Sequence, residues 1–198
     1  MMHPVSQILP HYTYGEYIQW EGRWELIYGI PYAMSPSPAP RHQRILAKVI
    51  HRLVDALEKS NCNECAVYDF IDIKIDDDIV LQPDALIVCC EITKPYLDFP
   101  ASLILEILSS STALKDRNTK FQIYQAQGVK YYLIIDPDKS LLESYKLSVT
   151  SLFELQPHSI QESYPFLLDN DCIVKVNFQA YFKTSVVSTV LVKNASFY

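Results

Sequence analysis

The stretch that decides the fold spans residues 83–137 and contains three apolar segments: PDALIVCC (83–90), ASLILEILSSST (101–112) and KYYLIIDP (130–137). In the second segment, residues 103–108 are apolar on both alternating faces except at Glu106. This pattern is typical of a strand that is covered on both sides. A carboxylate there is costly unless a positive group meets it or it is protonated. The charge of Glu106 therefore needs an explanation.

A second acidic residue, Asp84, opens the first apolar segment. If the first two segments form an antiparallel hairpin centred near Pro95, Asp84 and Glu106 lie opposite each other and point to the same face. Two carboxylates a few ångströms apart repel each other unless a divalent cation lies between them. The pattern predicts a metal site. The alternative is that Asp84 caps a turn while Glu106 pairs with a buried lysine or arginine.

Composition limits the function classes. The chain has 198 residues, of which 49% are hydrophobic and 20% charged, and we expect one soluble domain over residues 1–198. A net charge of −6 argues against coating nucleic acid by bulk electrostatics, although a local basic patch is compatible with it. The start of the chain does not resemble a signal peptide, and no apolar run approaches the ~20 residues of a membrane span. We expect a cytoplasmic protein with no membrane partner.

The five cysteines are odd in number and irregularly placed, so we do not expect a disulfide framework. The spacing of Cys62 and Cys65 could open a zinc site, but no second pair with suitable spacing follows. Free thiols in a reducing compartment are the expectation.

Elsewhere the periodicity predicts a short helix at 13–20 with a capping box, a hairpin at 23–34, a long helix at 41–59, and a strand at 66–75. Strand 101–108, a helix at about 114–127 and strand 130–136 form a parallel βαβ unit. An antiparallel extension follows residue 137, and residues 160–198 contain further strands, with 186–193 a last strand or a dimer arm. The predicted fold is therefore α/β, with a central mixed sheet flanked by helices and an antiparallel β extension.

Three further residues could act beside the two acids. Asp116 and Lys120 lie four apart on the helix after Glu106, whose apolar residues Leu114, Phe121, Ile123 and Tyr124 should face the sheet. Lys120 could then reach Glu106, or Asp116 and Lys120 could be a plain surface ion pair. Glu25 alternates with apolar neighbours in the first hairpin, which is also typical of a solvent-facing strand residue.

A basic row begins the long helix. Arg41, Arg44, Lys48 and Arg52 recur at helical spacing and could track a phosphate backbone, although solvated helix faces have the same pattern. His42 could contact phosphate or lie on the surface.

Taken together, these segments resemble the Uma-two family of restriction endonuclease-like proteins in the PD-(D/E)XK nuclease superfamily. The matching text is WELIYG, SPSPAPRHQRI, LQPDALIV, LILEILSSST, the helix with Asp116, Lys120 and Tyr124, and GVKYYLIIDP. The resemblance covers about residues 13–156. It implies that these residues form a nuclease core with a restriction-endonuclease-like fold. Residues 160–198 are then C-terminal strands or an arm.

The resemblance implies that Asp84 and Glu106 bind Mg²⁺ or Mn²⁺ and that Glu25 is an accessory acid. The superfamily lysine expected two residues after Glu106 is replaced by Leu108, and Lys120 matches a lysine that has moved to the following helix. The implied activity is metal-assisted hydrolysis of DNA phosphodiester bonds, and a homodimer suits an enzyme that cuts two strands. Two alternatives stay open: a catalytically silent binding or scaffold module on this fold, and an α/β enzyme that uses the paired acids on a small substrate.

Overall fold

The three apolar segments form adjacent strands in the middle of a six-stranded sheet. The computed structural model describes residues 10–34, 39–157 and 163–178. Its strands are β1 (Trp24–Ile27), β2 (Ile30–Ala33), β3 (Ala66–Asp69), β4 (Ile73–Asp76), β5 (Ile79–Leu81), β6 (Ala85–Val88), β7 (Leu103–Ile107), β8 (Tyr131–Asp136), β9 (Leu141–Leu147), β10 (Phe153–Leu155), β11 (Ser163–Leu167) and β12 (Ile173–Asn177). Its α-helices are α1 (Tyr14–Tyr17), α2 (Pro40–Lys59), α3 (Ala113–Lys115) and α4 (Phe121–Gln127).

The central sheet is mixed and has the order β10-β9-β8-β7-β6-β3. Only β7 and β8 run parallel, as the predicted βαβ unit requires; the other neighbours are antiparallel. Every residue of β6, β7 and β8 is buried. Two hydrophobic cores explain the two-sided apolar pattern. One core lies between the central sheet and α2, and the other lies between the central sheet, α4 and a second sheet.

The second sheet, with the order β2-β1-β5-β4, carries the N-terminal hairpin. The predicted capping box at the start of α1 is present, with Thr13 and Glu16 as its members. The predicted single strand at 66–75 is wrong: it breaks into β3 and β4, which belong to different sheets. The break follows from Phe70, whose φ of 51° ends the extended backbone and turns the chain from one sheet to the other.

The helix between β7 and β8 is not a regular α-helix. A π-helical segment, Asp116–Lys120, separates α3 from α4, and Gly128 ends the helix with a φ of 83°. The expectation that Leu114 faces the sheet is wrong, because this side chain is 80% exposed, whereas Ile123 and Tyr124 are buried. A π-helical turn contains more residues than an α-helical turn. Residues on its two sides therefore do not share the face that a 3.6-residue repeat predicts.

Residues 163–177 form a separate two-stranded sheet of β11 and β12 rather than edge strands of the central sheet. This hairpin packs against the core that contains α2. The predicted strand or arm at 186–193 lies outside the described residues. No helix in the described ranges has the length and apolar character that a membrane crossing requires.

The expectation of free thiols is wrong for four of the five cysteines. Cys62 is bonded to Cys172 and Cys65 to Cys89, while Cys90 is free and exposed. The first bond ties the end of α2 to the β11–β12 turn, and the second joins positions beside the paired strands β3 and β6. Both pairings bring together residues that are distant in sequence, so the irregular spacing did not reveal them.

Removing the Cys62–Cys172 bond should lower the free energy of unfolding. The bond joins residues 110 apart, and the loss of a native disulfide typically costs about 2–5 kcal/mol. We expect that loss in urea denaturation of the double variant Cys62→Ser/Cys172→Ser, and no change above about 0.5 kcal/mol for the exposed-thiol control Cys90→Ser. Thiol counting on the denatured, non-reduced protein should find one free thiol; a count of five would contradict the pairing.

Candidate active site

Asp84 and Glu106 occupy opposing positions at one end of the paired strands β6 and β7. Ala85 pairs with Leu105, and the two acids lie one residue further along in the same register. Opposed residues of an antiparallel pair share a face of the sheet. Both side chains are almost completely buried, with 7% of Asp84 and 3% of Glu106 exposed. The hairpin predicted from the sequence therefore brings these two carboxylates to one place.

Each of the two carboxylates is held through one of its oxygens. The N–H of Ile107 donates to Asp84 Oδ2 at 2.7 Å, and His42 Nε2 lies 3.1 Å from the same oxygen. Glu106 Oε1 accepts hydrogen bonds from Lys120 Nζ at 2.8 Å and Tyr124 Oη at 3.1 Å. Within the described ranges the other two oxygens, Asp84 Oδ1 and Glu106 Oε2, accept no hydrogen bond. They are also not fully enclosed by the protein. These oxygens, Oδ1 and Oε2, therefore keep contact with solvent.

Lys120 lies among three carboxylates. Its Nζ is 2.6 Å from Glu25 Oε1, 2.8 Å from Glu106 Oε1 and 3.6 Å from Asp116 Oδ1. Only 2% of the lysine and 1% of Asp116 are exposed, so the interpretation of these two as a surface pair is wrong. Lys120 thus lies over the strand end that carries Glu106, as the prediction that it reaches Glu106 requires.

Glu25 is fully buried, which excludes the solvent-facing interpretation of its place in β1. Its Oε1 accepts the N–H of Gln82 at 3.1 Å in addition to Lys120, and its Oε2 is bound by Lys115. Lys115 was not predicted from the sequence, which offers no signal for it beyond its place beside Asp116. Glu25 links the two lysines and fixes both at the site.

Burial and charge shift the pKa values of this cluster in different directions. Burial raises the pKa of Glu106 well above its usual value, against the opposing effect of Lys120, and it also raises the pKa of Asp116. Burial alone would raise the pKa of Glu25, but Lys120 and Lys115 hold it below its usual value. Burial would lower the pKa of Lys120, but the surrounding carboxylates raise it well above the usual value, so this lysine is charged.

The π-helical segment explains how Asp116, Lys120 and Tyr124 reach the same site. Asp116 and Lys120 begin and end the segment, and both point into the protein. Tyr124, one turn later on α4, is fully buried and donates to the same oxygen of Glu106 that Lys120 contacts. π-helical turns inside α-helices are frequent at functional sites.

The predicted nucleic-acid contacts begin beside the carboxylates. His42 is half-buried and its Nε2 contacts Asp84, so it does not merely lie on the surface. Burial alone would lower the pKa of His42, but its hydrogen bond to Asp84 and the charge of that group raise it. Arg41 is exposed and pairs with Asp138 at 2.6 Å. Arg44 is exposed and Lys48 half-buried, and within the described part of the chain neither forms an ion pair.

Comparisons with known proteins identify the family and the fold of the chain. A family model, Uma2, described as "Putative restriction endonuclease", matches residues 14–175, beyond the 13–156 of the resemblance. The structure is similar to the crystal structure of "a putative nuclease belonging to DUF820" from Anabaena variabilis, with a TM-score of 0.67, 15% sequence identity, and coverage of 86% of this chain and 97% of that chain. None of the curated proteins matches significantly. The structural match confirms the predicted restriction-endonuclease-like α/β fold, and the family match shows that the chain belongs to the Uma2 family.

Proposed function

We propose that this protein is a metal-dependent endonuclease that hydrolyses phosphodiester bonds of DNA. The observation that supports this most strongly is the pair Asp84 and Glu106, opposed across two strands, with one oxygen of each anchored by the protein and the other in contact with solvent. Membership of the family described as "Putative restriction endonuclease" supports the same activity.

The donor set fits Mg²⁺ or Mn²⁺. Mg²⁺ keeps several water ligands and is usually bound through one or two carboxylates together with phosphate oxygens of the substrate. In the described ranges no group of three or more His, Cys, Asp or Glu residues is arranged to hold a metal ion, so a closed zinc cage has no counterpart there. Asp84 and Glu106 would hold the ion, which would polarise the scissile phosphate and lower the pKa of a bound water.

The protein's own residues orient these ligands and supply a positive charge. His42 and the Ile107 N–H fix one oxygen of Asp84, while Lys120 and Tyr124 fix one oxygen of Glu106. Lys120 is charged and almost inaccessible to water, so its ammonium group can stabilise negative charge that develops on the phosphate. Glu25 acts through Lys120 as a positioning residue, because its carboxylate is fully occupied by two lysines and a backbone N–H.

The first turns of α2 would guide the substrate. Arg41, Arg44 and Lys48 follow one stripe of this helix, and Arg41 directly precedes His42, which contacts Asp84. Such a stripe can contact successive phosphates although the net charge of the chain is −6. We propose that two copies act as a homodimer, since one copy presents a single site to a two-stranded substrate.

One observation favours a second candidate, a silent nuclease-fold module that binds nucleic acid or a partner without cutting. Lys120 already compensates Glu106, so the buried acid does not depend on a metal for charge balance. The pairing of Glu106 with a buried lysine is the non-metal alternative that the sequence also allowed.

Cleavage of plasmid DNA in the presence and absence of divalent ions separates these functions. We expect linear or nicked products with Mg²⁺ or Mn²⁺, none in EDTA, and restored cleavage when Mg²⁺ is added in excess over EDTA. Turnover that persists in EDTA would contradict the metal mechanism. Binding without cleavage under all of these conditions would favour the silent module.

A further inference from the structure

Tyr32 lies at the edge of the candidate active site and is open to solvent. In the first hairpin it pairs directly with Glu25, so its side chain lies on the same face of the sheet as that buried carboxylate. The tyrosine is 41% exposed, whereas Glu25 is fully buried. The hairpin therefore places an exposed aromatic ring beside the charged cluster.

Lys115 joins this ring to the cluster. Its Nζ lies over the Tyr32 ring, 5.2 Å from the centroid, and also forms the ion pair with Glu25. Glu25 in turn contacts Lys120, which contacts Glu106. Glu25 and Lys120 thus connect Lys115 with Glu106, one of the two proposed metal ligands. The side chain of Lys115 is 18% exposed, so part of the cation is accessible from outside.

We propose that Tyr32 and Lys115 bind the substrate strand in unpaired form, and that each site of the dimer takes one single strand of nucleic acid in preference to intact duplex; this rests on the proposed nuclease function. The exposed ring stacks against an unpaired base next to the bond that is cut, and Lys115 contacts a neighbouring phosphate.

Physical chemistry favours a single strand for this pair. An aromatic ring can stack only on a base whose face is uncovered, and in a duplex neighbouring base pairs cover both faces of each base. An ammonium group can occupy one face of the Tyr32 ring, and the 41% exposure shows that ring surface remains for a base. A net charge of −6 offers a duplex little general attraction, whereas stacking does not depend on charge.

The test is fluorescence anisotropy with a labelled 12-nucleotide single strand and the matching duplex, using the full chain in EDTA so that cleavage does not interfere. We expect the wild type to bind the single strand at least fivefold more tightly than the duplex. Tyr32→Ala should weaken single-strand binding about tenfold or more, the effect of losing one stacked base, while Tyr32→Phe should stay within twofold. The control Tyr28→Asn removes an exposed tyrosine from the turn of the same hairpin, where φ is 52°, and should change nothing.

Lys115 adds an independent readout. Lys115→Gln should reduce the slope of log Kd against log salt concentration by about 0.7, the value for one phosphate contact on a single strand. Equal binding by Tyr32→Ala and the wild type, equal loss in Tyr32→Phe and Tyr32→Ala, or a preference for duplex would each overturn the proposal.

These outcomes are separate from those of the nuclease function. If divalent-dependent cleavage requires Asp84 but Tyr32→Ala binds normally, the strand-binding proposal fails and the nuclease function stands. A different outcome is that the wild type cuts no DNA, while Tyr32→Ala binds the single strand more weakly and Tyr32→Phe binds it normally. Strand binding then stands and the nuclease function fails. If the wild type binds neither oligonucleotide, the strand-binding proposal is overturned.

Discussion

Replacing Asp84 with Asn, or Glu106 with Gln, is expected to lower the rate of Mg²⁺-dependent DNA cleavage by on the order of 10³-fold or more. Each substitution keeps the shape of the side chain but removes the negative charge that we propose holds the cation. The anchoring hydrogen bond to Asp84 from the Ile107 N–H can still form with the remaining amide oxygen, so the fold should persist. Initial rates of plasmid nicking, measured at several Mg²⁺ concentrations, give the loss for each variant.

The control is Asp55→Asn on the later part of α2, where the aspartate forms an exposed pair with Lys59. This variant should cut within about twofold of the wild-type rate, because an exposed ion pair contributes little and lies away from the site. Far-ultraviolet circular dichroism should superimpose for all variants. Cleavage at the wild-type rate by folded Asp84→Asn and Glu106→Gln proteins would show that the site is placed wrongly.

Replacing Lys120 with Met is expected to lower the free energy of unfolding by about 3–5 kcal/mol, because the change leaves buried carboxylates without their cation. The ammonium group lies within 4 Å of Glu25, Glu106 and Asp116, all of them buried. Methionine has a similar length and apolar stem, so most of the loss should come from charge and not from a cavity. Urea denaturation measures the change.

Two companion variants isolate the cause. Lys59→Met makes the same substitution at a side chain that is 71% exposed and should cost about 1 kcal/mol or less. Adding Glu106→Gln to Lys120→Met should recover part of the lost stability, since one uncompensated charge is removed. If Lys120→Met proved as stable as the wild type, the charge-compensating role of this lysine would be refuted.

The central hairpin could be predicted because it needs only local information. Once the loop was centred near Pro95, strand parity placed Asp84 opposite Glu106, and the structure has this register. The capping box of α1 is likewise a local signal that the structure reproduces, and Gly128 ends α4 in the left-handed conformation that glycine favours.

Features that depend on distant partners could not be predicted in this way. Alternation in β1 made Glu25 resemble a surface residue, and only Lys115 and Lys120, about 90 positions later in the chain, make its burial possible. The left-handed backbone at Phe70 has neither glycine nor asparagine to signal it. The 3.6-residue repeat also predicted wrongly that Leu114 faces the sheet, because a π-helical segment begins two residues after it.

Titration calorimetry with Mn²⁺ addresses the proposed metal site without relying on any substrate. Injected into the metal-free wild-type chain, Mn²⁺ should give one saturable heat, and this heat should disappear in the double variant Asp84→Asn/Glu106→Gln. A wild type with no saturable heat, or a double variant with an unchanged isotherm, would contradict the proposal that these two carboxylates hold a divalent cation.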